Sequence, residues 1–317
     1  MLSFSPHHRG MLLCALSAVA FGAMAVFAKE AYAAGMTVVT LLSLRFLLAA
    51  AAFWAIAAAR GARLPDRRTI VSGLALGAFG YAAQGGCYFG ALTRLDAGLV
   101  SLLTYIYPIL VFAGAFALGR EQATSRRVGA LGLATAGTVL VLAGGSVGAI
   151  DGLGVALALG CAVVYASYIL MSDRMVGAVD PFVLAGLITT GAAVSMTTVG
   201  GASGSLSFGF DASGWLWILA LAWGSTVLGI VAFLSGMRAV GAATASIVST
   251  VEPAVTVGLA MALYGESLGP SQIAGGVLVL GAVVVAQLRP AGSVEADAAA
   301  DHAPAAAPAR TLAHEPA

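Results

Sequence analysis

Apolar residues run along this chain in ten stretches, at about 11–29, 37–59, 70–92, 97–119, 128–147, 152–172, 181–200, 214–236, 241–263 and 271–288. Each is close to the ~20 residues that cross a bilayer as a helix. Charged or glycine-rich breaks separate several of them, over 60–68, 119–127, 172–180 and 201–213. Lipid leaves every backbone amide to be satisfied within its own segment, so the pattern predicts an all-α membrane protein. The 41 glycines suit helices that approach closely without a hydrophobic drive between them.

The ten stretches fall into two sets of five. Tyr107-Pro108 opens an apolar run ending at Glu121, and Glu252-Pro253 opens another ending at Glu266. Proline and acid are 13 residues apart in both (121 − 108 and 266 − 253), and the copies are offset by 145 (253 − 108). Ala97 and Ser101 fall on Ala242 and Ser246 at the same offset. The expected organisation is a short N-terminus (1–10), one five-helix unit (11–147), a second (152–288), and an Ala/Pro-rich tail (289–317) too poor in apolar residues to order itself. Five is odd, so the second unit must sit upside down relative to the first. Inverted halves with a proline-interrupted helix at matching positions point to a carrier with its site between the halves.

Charge sets the orientation. With the N-terminus inside, the inner side collects Arg9, Arg60, Arg63, Arg67, Arg68, Arg120, Arg126, Arg127, Arg174, Arg238, Arg289 and Arg310, while the outer side keeps Lys29 and Arg94. That is 12 against 2, with Arg45 left inside a span, so both termini are expected in the cytoplasm and the chain in the cytoplasmic membrane. Charged residues make up 9% of the chain and mean hydropathy is +0.97, too little charge to cover a water-facing surface. A net charge of +1 offers no field for nucleic acid. Cys14, Cys87 and Cys161 all lie in apolar runs and read as packing residues.

The strings "YPILVFAGAFALGRE" and "EPAVTVGLAMALYGE", with Phe21-Gly22, "LLSLRFLLAA" around Arg45 and "YFGALTRLDAGLVSLL", resemble the EamA-type drug/metabolite transporter superfamily over roughly residues 11–288. The resemblance implies two inverted five-helix repeats and a central cavity lined chiefly by the first, third and fourth helices of each. It further implies export of small metabolites, often amino acids or related amphiphiles.

Several side chains stand out against this background. Glu252 is about ten residues, hence roughly 15 Å, into its span. A carboxylate at that depth must be paired, protonated or wetted, and marks a functional site by default. The first copy has Tyr107 at this register, so the fold itself does not demand an acid. Ser249, Glu252 and Thr256 form one helical stripe, and Ser101, Thr104 and Pro108 its counterpart. Tyr81, Gln84 and Tyr88 make a row on the third span, which joins Tyr105, Tyr107, Phe21 and Tyr165 as candidate cavity walls. Interhelical packing is the competing reading for each of these.

Arg45, at similar depth, could pair with Glu252, brace the helices or bind a substrate carboxylate. Pro108 and Pro253 each remove a backbone donor, kinking the helix and freeing a carbonyl four residues back. Glu121 and Glu266 sit at helix ends, where end-capping or loop contacts are expected.

Other chemistries fail on inventory. The four histidines, His7, His8, His302 and His314, all lie in the tails, so the string Gly201-Ala202-Ser203-Gly204 has no membrane base to activate its serine. No His/Cys/Asp/Glu cluster has metal spacing, and no phosphate-cradling loop is present. The expected partners are a small-molecule substrate, the bilayer and protons, with no cofactor and a monomeric or weakly dimeric chain. A channel, a facilitative uptake carrier or a membrane scaffold are the alternatives.

Overall fold

A computed structural model describes residues 6–120, 124–143, 151–176, 179–240 and 242–287. Glu121, most of the junction between the two units and the tail from 288 onward fall outside these residues. Among the described residues there are ten helices and no strand. They are α1 (Pro6–Ala33), α2 (Val38–Ala59), α3 (67–92), α4 (Ala97–Ala117) and α5 (Ser125–Ala143). The second five are α6 (Gly152–Val176), α7 (Pro181–Ser203), α8 (Ser213–Val240), α9 (242–264) and α10 (Pro270–Gln287). Side-chain caps fix four of the starts, from Thr37, Asp66, Asp151 and Asp180. Hydrogen bonds from Thr69 and its neighbours hold the Asp66 carboxyl below its ordinary range; the Gly154 amide and Arg94 do the same for Asp151.

Contacts repeat under exchange of the two halves. Where α1 packs on α8 and α9, its counterpart α6 packs on α3 and α4; α2 meets α7, α4 meets α9 and α5 meets α10. The halves run in opposite senses. Near one end of the α1–α8 pair Gly10 touches Val240, and at the other the Asp211 amide donates to the Ala34 carbonyl at 2.8 Å, so α1 and α8 are antiparallel. α4 starts beside the end of α1, where Glu266 touches both Lys29 and Ala97, and α6 runs with α4, Gly154 meeting Leu95 and Leu170 meeting Gly114, so α6 runs against α1. Two faces result. The terminal face carries Gly10, Arg60 and Val240; the distal face carries Ala34, Arg94, Asp151 and Gly265. Arg94 bonds Asp151 there at 2.9 Å.

Glycine sets the closest approaches. α5 and α10 cross at Gly137 and Gly275, where an added Cβ would come within 2.7 and 2.5 Å of the partner's carbonyl. In lipid such close backbone packing is what holds helices together.

Several spans are interrupted. α1 breaks at Ala23, α4 at Tyr105-Ile106 and α9 at Thr250. The last two interruptions fall just before Pro108 and Pro253, which therefore lie in the first turn of a new segment, where a missing amide is tolerated. α3 and α8 instead widen into π-helix, over Leu76–Tyr81 and Ala220–Leu228. Adding 145 to 76–81 gives 221–226, so the two wide turns share one register.

Candidate functional site

These interruptions surround one cavity of about 690 Å³, within the ~300–1,000 Å³ range of small-molecule sites. Its walls come from α1 to α4 of the first half and α6, α8, α9 and α10 of the second. It extends toward the terminal face as far as Phe112, Ala115 and Leu234.

Of the side chains singled out in the sequence, Phe21, Tyr81, Gln84, Tyr88, Tyr105, Tyr107, Tyr165, Ser249 and Glu252 line this cavity, as do Arg45 and Pro108. Thr256 does not. It is buried, and its hydroxyl donates to the carbonyls of Gly22 at 3.0 Å and Glu252 at 3.2 Å. The stripe is interrupted there because α1, broken at Ala23, presents a carbonyl that Thr256 satisfies. Pro253 is buried beside it on α9. Glu266 lies at the distal face, on a different contact described below.

The tyrosines form a chain of rings. Tyr105 and Tyr107 stand 5.7 Å apart, Tyr107 and Tyr165 4.3 Å, Tyr165 and Tyr168 6.1 Å, and Tyr168 and Tyr81 5.9 Å. Tyr105 also answers for a proline. Pro253 frees the carbonyl of Ser249, and the Tyr105 hydroxyl from the other half donates to it at 2.7 Å. Gln84 donates to the Cys161 sulfur at 3.4 Å.

Glu252 faces this wall with Tyr88, Tyr105, Tyr107 and Tyr165 within electrostatic range. Among the described residues no ion pair or side-chain hydrogen bond reaches its carboxylate, and none joins it to Arg45. Arg45 is 4% exposed. Its Nε donates to Thr226 Oγ1 at 2.9 Å, and its Nη2 is 3.5 Å from the Tyr81 hydroxyl. The guanidinium also lies over the rings of Phe46 and Phe89, 5.6 and 5.0 Å from their centroids.

Thr226 is the register counterpart of Tyr81 (226 − 81 = 145), and each sits in a wide turn. Arg45 therefore ties the π-helical turn of one half to that of the other. Thr226 was not apparent as a site residue from α8 alone; the offset would have led to it. Replacing Arg45 with lysine keeps the charge but loses the fork. We expect a loss of stability on the order of 1–3 kcal/mol, read as earlier thermal aggregation of the detergent-solubilised protein.

Ten helices in two inverted halves, closing round one cavity that holds an acid, a guanidinium and a row of tyrosines, define a multi-pass membrane transporter. The chain belongs to the EamA-like transporter family, which it matches over residues 8–143 and 152–287. It is 24% identical over 278 residues to a Bacillus subtilis (strain 168) protein named "Uncharacterized transporter YcbK", covering 84% of this chain and 88% of that one. A crystal structure of a protein with 20% identity superposes with a TM-score of 0.61, over 87% of this chain and 96% of that chain. This last likeness concerns the fold alone.

Proposed function

We propose that this transporter is a secondary carrier that exports a small zwitterionic metabolite, an amino acid or a related amphiphile, by alternating access. One observation carries the substrate class: a single cavity presents a guanidinium and a carboxylate that do not neutralise each other. Among the described residues Arg45 has only neutral partners, and Glu252 has tyrosines around it. A molecule bearing both carboxylate and ammonium would complete both charges at once, with the ring wall taking its apolar part. The cycle needs neither ATP nor a bound cofactor. It draws on the membrane potential, about 2.3 kcal/mol per charge for each 100 mV, and on protons taken up and released at Glu252.

Purified protein in liposomes tests this reading. A carrier shows saturable flux, and an internal pool of amino acid accelerates entry of labelled amino acid. Flux that neither saturates nor responds to the internal pool would identify a channel.

The orientation follows the charge asymmetry, with the terminal face in the cytoplasm and the chain in the cytoplasmic membrane. Reporter fusions after Arg67 and after Asp211 are expected to report cytoplasm and exterior respectively. One compartment for both would refute the inverted arrangement.

A further inference from the structure

The distal end of the cavity is closed by a cluster that joins three helices across both halves. Lys29, near the end of α1, pairs with Glu266, just past the end of α9. The Glu266 carboxylate also accepts from the first two amides of α4, Ala97 and Gly98, each at 3.2 Å. The N-terminus of α4 gets no side-chain cap from Asp96, its own N-cap residue, so Glu266 caps it from the other half. Tyr264 adds to the contact: its hydroxyl donates to Glu30 at 2.9 Å, and Lys29 lies 5.2 Å from the centre of its ring. Ser101, one turn further along α4 from Ala97, already lines the cavity.

We infer that the Lys29–Glu266 pair, seated on the first amides of α4, is the latch that keeps the distal end of the substrate cavity shut, and that it opens once per transport cycle. This deepens the alternating-access reading above and rests on it. Outward opening must part α1 and α9 from α4 at the distal face; the two bonds from the Ala97 and Gly98 amides to Glu266 span that seam, and Lys29 on α1 holds the acid in place for them. The seat is built for release as well as closure. Gly98 lets α9 pack close to α4 at this seat, since an added Cβ would crowd Val257 at 3.3 Å while only touching Glu266 Oε2 at 3.9 Å. The acid and the cation are each reachable by solvent, their side chains 9% and 22% exposed, so water can replace the contacts as they part. The sequence also places the same charges at the same register of the other copy: Glu121 is 145 residues before Glu266, and Arg174 is 145 after Lys29.

The test uses a Ser101→Cys reporter in a Cys14→Ala, Cys87→Ala, Cys161→Ala background, in intact cells and in inverted vesicles, with a membrane-impermeant maleimide. With the latch intact the thiol is expected to react slowly from the distal side and faster from the terminal side. Glu266→Gln should raise distal labelling by about ten-fold, the scale of hydrogen bonds to a charged group. Adding Lys29→Met to Glu266→Gln should raise it no further, since both act on one latch. Distal labelling unchanged by Glu266→Gln in protein that still elutes as a folded peak overturns the latch. If Glu266→Gln does not fold, Lys29→Met alone is read in the same way. Equal labelling from both sides with the latch intact overturns alternating access itself, a pattern distinct from failure of the latch.

Discussion

Replacing Gly191 with valine is expected to leave no folded protein in the membrane, while the same change at Gly201 on the same helix is tolerated. A Cβ at Gly191 would stand 2.0 Å from the Leu74 carbonyl oxygen, and one at Gly77 2.0 Å from that of Ile188. The two positions face each other where α3 crosses α7, so each helix rests on bare backbone of the other. Such a clash cannot be relieved by turning a flexible side chain; the helices themselves must separate. The effect should exceed the ~1–3 kcal/mol of ordinary overpacking, because lipid supplies no hydrophobic force to drive separated helices back together. At Gly201 an added Cβ meets nothing within 4 Å. Elution of a fluorescent fusion on size exclusion reads the difference: a monodisperse peak for Gly191→Val would show that α7 has more freedom than this packing allows.

The second large effect is expected at Glu252. Glu252→Gln should lower transport driven by a pH gradient by at least about ten-fold, and the exchange that remains at equal pH should need more substrate to saturate and gain nothing from an imposed gradient, because a mid-span acid is a site for protons as well as for substrate. Flux in liposomes with and without an imposed gradient measures both. Wild-type gradient-driven flux in the variant would remove Glu252 from the coupling. The absence of an ion pair between Glu252 and Arg45 gives a further expectation. Had they been paired, removing either would strand a buried charge and removing both would restore stability. With Arg45 bound to Thr226 and the rings instead, the losses in Arg45→Ala and Glu252→Gln should add in the double variant.

The spans and their pairing into copies were legible because they depend on composition and spacing alone. The run from Ala97 to Gly119, with its proline and terminal acid, needed no partner to be recognised, and its counterpart followed by counting. Glu252 and the Tyr81-Gln84-Tyr88 row were legible for a related reason: polar groups on an apolar helix have few places to go. The wide turns in α3 and α8 were not. A π-helix bonds each amide to the fifth residue back instead of the fourth, a shift that the largely apolar segments Leu76–Tyr81 and Ala220–Leu228 do little to mark. Thr256 was misplaced because its position follows from a break in α1, more than two hundred residues away in the chain. The seat of Glu266 was hidden similarly. An acid at a helix end suggests a local cap, and nothing in the sequence tells that the amides it caps begin α4 of the other half.

The shared register of the two π-helical turns bears on how the molecule arose. A wide turn of this kind holds one extra residue within a helix, each amide bonding the fifth residue back instead of the fourth. Wide turns at equivalent positions, 145 residues apart, are what a single five-helix unit already carrying the extra residue would pass to both halves on doubling. The ancestral five-helix chain would then have met an inverted copy of itself, which required it to enter the membrane in both orientations. Fusion into one chain ended that requirement and allowed the halves to specialise. Tyr81 opposite Thr226 and Tyr107 opposite Glu252 are places where they have already done so.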